Sequence, residues 1–184
     1  MRIRTKLATA AVTAGLALTA VTLPAHAATS GNTTTTFTLT AGALSISTPA
    51  SASLGSAATG SATTSAQLGS VSVSDQRGAL LGSWTASVSS SDFTTGAATS
   101  NETIAKANAD YWSGAATATT GTGTFTPGQL TALNKVTLAA QRTAFAATAV
   151  VGNNTAAWNP TVIVNIPSAA VAGDYSGTVT HSIA

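Results

Sequence analysis

Two histidines, His26 and His181, are the side chains of this 184-residue protein that ordinarily titrate near neutral pH, so a search for catalysis begins with them. His26 falls in a leader-like segment. His181 stands in a run where Tyr175, Gly177, Val179 and Ile183 alternate with Ser176, Thr178, Thr180 and Ser182. Period-two alternation makes it a strand residue on a half-buried face. A Ser–His–Asp triad needs three groups in mutual reach, and abundant serine makes coincidence easy. His181 is therefore read as structural. Nucleophile elbow, HExxH helix and phosphate-cradling glycine loop are all missing from the sequence. The five acids are scattered, without the pairing that glycoside hydrolysis needs or the spacing of a calcium loop. The reading is of a protein that is not an enzyme, with no catalytic residue, metal or cofactor.

Binding chemistry has better candidates. Asp75-Gln76-Arg77-Gly78 places an acid and a guanidinium in a loop just before Trp84. That pair serves either as a lock on the loop or as a polar clamp beside an exposed ring. Trp84 shares a face with Ala86 and Val88, which favours packing in the core. Trp158 precedes Asn159-Pro160, where proline implies an edge or a bulge at a strand start. Tyr111 and Trp112 are adjacent, so on a strand they point to opposite faces and at least one is a candidate for exposure. Tyr175 and His181 complete the set of residues considered for contact with a glycan or wall surface.

The elements that must position these residues read as short strands. Thr35–Thr40 puts Phe37 and Leu39 on one face, and Leu44, Ile46 and Thr48 follow the same rule before Pro49. Segments 67–74, 84–89, 135–138 and 143–150 continue the series. Residues 103–110 alone have helix-like composition, with Asn101-Glu102 as a possible cap. From Ala157 to Ala184 the pattern is that of a β-hairpin, Val162, Val164 and Ile166 forming the first strand and 175–183 the second. Seven to ten short strands with turn signals between them predict an all-β fold, a single-domain antiparallel β-sandwich.

Arg2, Arg4 and Lys6, the apolar run Leu7–Leu23 and Ala25-His26-Ala27 form the pattern of a cleaved export signal. The expected division is a signal peptide at 1–27 and a mature domain at 28–184, secreted and without an integral membrane segment. The formal charge of +2 and pI near 9.4 owe much to the leader. Beyond it, four bases face five acids, a net of −1, so nucleic acid loses its electrostatic basis as a partner. With no cysteine, stability must come from a core. No lipobox, sorting motif or apolar C-terminal anchor is visible, so residence at the cell is expected to be noncovalent.

Gly82-Ser83-Trp84-Thr85-Ala86-Ser87-Val88, Ala157-Trp158-Asn159-Pro160, Val162 to Pro167 and Asp174 to Thr180 together resemble the WxL-domain family of Gram-positive cell-surface proteins. The likeness is to a divergent, actinobacterial-type member. Where that family carries Trp-x-Leu, this chain has Trp84-Thr85-Ala86 and, near the C-terminus, His181-Ser182-Ile183. The resemblance implies an exported, cell-wall-associated β-domain that binds noncovalently, with peptidoglycan or an associated glycan as the usual ligand. A structural role is the other expectation, in which strand edges pair with another envelope protein, since charge is scarce along the strands.

Overall fold

A computed structural model describes residues 30–184, so the expected signal peptide at 1–27 lies outside the described residues. Contacts divide the chain into two units, Met1–Thr38 and Leu39–Ala184. Residues 30–38 of the first form neither helix nor strand. The second is all-β and antiparallel. In chain order its strands are β1 (Leu44–Ser47), β2 (Thr63–Gln67), β3 (Val71–Asp75), β4 (Leu80–Ser90), β5 (Phe93–Thr94), β6 (Thr103–Ile104), β7 (Ala109–Trp112), β8 (Ala116–Pro127), β9 (Val136–Thr137), β10 (Arg142–Trp158), β11 (Thr161–Asn165) and β12 (Val179–Ile183). No helix among the described residues is long and apolar enough to cross a membrane.

The long strand β10 organises the larger sheet. One edge of β10 pairs with β8, while the other pairs with β4 along its first part and β3 along its last. Strands β3 and β4 thus run end to end on a single edge, separated by the loop 76–79. Beyond them, β1 pairs with β3 and β12 pairs with β4. At about 3.3 Å per residue, seventeen residues would extend some 56 Å if straight. Register shifts around Ala147 to Val151, with positive φ at Ala149 and Gly152, bend β10 instead. The sheet curls until β1 lies against β12.

The second sheet has the order β2-β11-β7-β9. Asn159-Pro160 carries the chain from β10 in the first sheet directly into β11 in the second, and Asn159 fixes the corner by accepting from the Gly69 N–H at 3.1 Å. Inner faces of both sheets meet in one core: Val71, Val73, Trp84, Ala86, Val88, Phe145, Val150 and Trp158 from the first, Ala109, Tyr111, Val162 and Val164 from the second. Phe145 stacks between Trp84 and Trp158, with centroid separations of 6.3 and 4.9 Å.

Three expectations are corrected. The segment 157–184 is no hairpin: β11 already has β2 and β7 on its two edges, so β12 pairs with β4 in the other sheet. Residues 103–110 form the short strand β6, a 3-10 turn at Lys106–Asn108 and the start of β7 rather than a helix. Ala109 and Tyr111 are needed in the core at period two, which overrides alanine's helical preference. Residues 35–40 form no strand in the structure.

Candidate functional site

Asp75 and Arg77 lock a loop onto the core. Arg77 donates to Asp75 from Nε at 2.9 Å and Nη2 at 3.0 Å, and from Nη2 to the Ser83 carbonyl at 2.8 Å. Asp75 is 1% exposed, and Asn154 beside it is equally buried. Asn154 donates to Asp75 at 3.2 Å and accepts from Trp84 Nε1 at 2.9 Å. A continuous chain thus runs Trp84, Asn154, Asp75, Arg77, Ser83, tying β3, β4 and β10 across the interruption between β3 and β4. The Arg77 side-chain hydrogen bond holds the Asp75 carboxyl below the usual carboxylate range against the opposing effect of burial. Beside the clamp stands a buried indole, since Trp84 is 2% exposed.

A second polar cluster links the sheets. Trp158, the last residue of β10, is fully buried at a register shift just before Asn159-Pro160 and the start of β11, and its Nε1 donates to Tyr111 Oη at 3.3 Å. Tyr111 Oη lies 3.1 Å from His181 Nε2. The indole can only donate, so the phenol accepts from Trp158, and its own O–H finds an acceptor in His181 Nε2 when the imidazole carries its hydrogen on Nδ1. Burial pushes the His181 pKa down to about 4 and pushes the Tyr111 phenol up. Trp84, Trp158 and Tyr111 therefore spend their rings and polar atoms on one another and on the core, beyond the reach of a ligand.

Trp112 is placed differently. Strand β7 alternates in burial, Ala109 and Tyr111 inward, Asp110 and Trp112 outward and half-buried. Register sets Thr161 between Gln67 and Trp112, and Ile163 between Ser65 and Asp110, on the outer face of the second sheet. Lys135 Nζ donates to Asp110 Oδ2 at 2.6 Å, and Asn165 Nδ2 donates to the same oxygen at 3.2 Å. Asn159 donates to Gln67 at 3.0 Å. The result is a partly buried indole on the outer sheet face, sharing it with a carboxylate, an ammonium and amides already held in place. Asp110, Lys135, Asn165 and Gln67 were not singled out from sequence. Alternation opposite Val162 and Val164 would have marked Asn165, but reading 103–110 as helix hid the shared face of Asp110 and Trp112.

Tyr175 lies apart from this face, in the connection between β11 and β12. Its hydroxyl is within hydrogen-bond reach of the carbonyls of Val171 at 2.9 Å and Asn101 at 3.2 Å. The ring helps to line a groove of about 580 Å³ with Phe93, Ile104, Val164 and Ile166. Among the described residues, no three His, Cys, Asp or Glu side chains come together as a possible metal site. Comparison with protein-family models, curated proteins and solved structures finds no match.

Proposed function

We propose that the protein is a non-catalytic, exported cell-surface module that holds a wall glycan noncovalently on the outer face of the β2-β11-β7-β9 sheet. The observation that carries this reading is Trp112, the indole left partly accessible while Trp84 and Trp158 are buried. A sugar ring offers a C–H face that stacks on an aromatic ring, and hydroxyls that pair with fixed carboxylate, amide and ammonium groups. Trp112, Asp110, Lys135, Asn165 and Gln67 supply both kinds of contact. The leader pattern and the WxL-like segments support the location and favour peptidoglycan or an attached glycan.

Sedimentation with washed Gram-positive walls is the test. Wild-type protein is expected to co-sediment, and Trp112→Ala to lose at least about tenfold in affinity, the loss of one well-placed stacking contact worth about 1.4 kcal/mol. Trp112 is partly buried, so a far-UV spectrum and urea midpoint close to wild type are required to certify folding. Wild-type protein left in the supernatant would sink the proposal, as would undiminished binding by Trp112→Ala.

A second reading, assembly with another envelope protein through strand edges, is favoured by β8. Its residues 116–124 are exposed on both faces, and among the described residues only one of its edges is paired.

A further inference from the structure

Two segments of this chain are built for strand pairing and left without it. Residues 33–40 read Thr-Thr-Thr-Thr-Phe-Thr-Leu-Thr, an alternating run of β-favouring residues that contains no charge and no proline. They belong to no strand in the structure. Phe37 is 92% exposed and Leu39 88%, the largest such exposures of adjacent same-face apolar residues among the described residues. A soluble chain rarely leaves two such side chains in register in water unless something covers them.

The second segment is the outer edge of β8. It is twelve residues long, and up to its final Pro127 it carries no lysine, no other charge and no inner proline to blunt the edge; its one extra residue lies at the very start, where Ala157 pairs with Ala118 and Trp158 with Ala116. The extra residues in the middle of its ladder, between Thr120 and Thr124, lie in β10 and not in β8. Six threonines, Thr117, Thr119, Thr120, Thr122, Thr124 and Thr126, give it the composition of the first segment.

We infer that residues 33–40 of one copy add as a strand to the outer edge of β8 in a second copy. Resting on the strand-edge reading above, this names the partner as the protein itself. Pairing within one copy would have to start from the far side of the sheet. The Gly42 N–H is bonded to the Gln76 carbonyl, which commits the chain after residue 40 to the β1 side of the sheet. Strand β8 stands at the opposite edge, beyond β3 and β10. Main-chain hydrogen bonds supply the attraction in such strand addition, and desolvation is mild because neither segment carries a charge. Because donor and acceptor are different surfaces, the contact is head-to-tail and extends beyond a dimer unless the rotation closes.

The absence of cysteine gives a clean test. Thr38→Cys and Thr122→Cys proteins are mixed at equilibrium in a glutathione redox buffer, without walls, and wild type is run in parallel by sedimentation velocity. A disulfide between the two variants in excess of either homodimer is expected. Wild-type mass should rise with concentration, and Phe37→Asp with Leu39→Asp should hold the protein monomeric. A dominant Thr122→Cys homodimer would overturn the donor assignment while leaving edge pairing intact. Monomer at every concentration with no cross-link would overturn the self-pairing, and binding of other envelope proteins by that monomer, abolished by Thr122→Pro, would keep the edge reading alone.

Discussion

Asn154 shows how much can depend on one amide. It is the sole bridge between the Trp84 indole and the Asp75 carboxylate, and both of its neighbours are almost fully buried. Removing it leaves the indole N–H without its acceptor and the carboxylate with fewer donors, in a site too enclosed for water to substitute freely. Asn154→Ala is expected to cost about 2–3 kcal/mol in urea denaturation. Asn154→Asp should be worse, since it sets a second carboxylate against Asp75. A loss below about 0.5 kcal/mol for Asn154→Ala would show that the network is ornamental. The same residue marks a limit of legibility. Asp75, Arg77 and Trp84 stand out in the sequence, but nothing local says that Asn154, seventy positions beyond Trp84, completes them.

At the scale of elements, the start of β4 is held under strain. Leu81 has φ of 58° and is 70% exposed, so its side chain neither prefers that backbone nor gains by burial. Leu81→Gly is expected to be neutral or to stabilise by up to about 1 kcal/mol, whereas Leu80→Gly next to it should destabilise. Calorimetric Tm of the two variants decides, and a clear fall for Leu81→Gly would refute the strain. Gly121 and Gly123 make the opposite case: a Cβ at either would stand 2.7 or 2.6 Å from atoms of β10. Strand β8 can lie against the bent β10 only with glycine there. These elements also show what was readable. Strands β3, β4 and β11 bury one face, so Val71 and Val73, Trp84, Ala86 and Val88, and Val162 and Val164 alternate visibly. Strand β8 buries neither face over most of its length, and its Thr, Ala and Gly leave no apolar period to detect. Residues 35–40 alternate well and stay unpaired because alternation reports strand capacity, while pairing depends on an available edge. The partner of β12 was unreadable for a similar reason, being decided by which edges β2 and β7 had already filled.

For the whole molecule, low charge makes pH dependence unusually simple. With four bases and five acids in residues 28–184, general repulsion is weak, and two buried groups shape the response to acid. His181 has a folded pKa near 4 against about 6.5 when exposed. The unfolded chain therefore binds more protons between those values, and stability falls as pH drops from about 6.5 towards 4. The loss amounts to about 3 kcal/mol at 1.36 kcal/mol per unit. Asp75 has the more familiar form: its folded pKa is depressed below 3.8, so its contribution is complete above that value and drains away as pH falls through the lower, folded one. Acid should accordingly weaken the fold in two successive stages, read as urea midpoints across pH 3 to 8. His181→Gln keeps an acceptor for the Tyr111 hydroxyl but cannot titrate, and it should flatten the upper stage while sparing the lower. An upper stage that survives in His181→Gln would mean that the inter-sheet cluster is not where the domain senses acid.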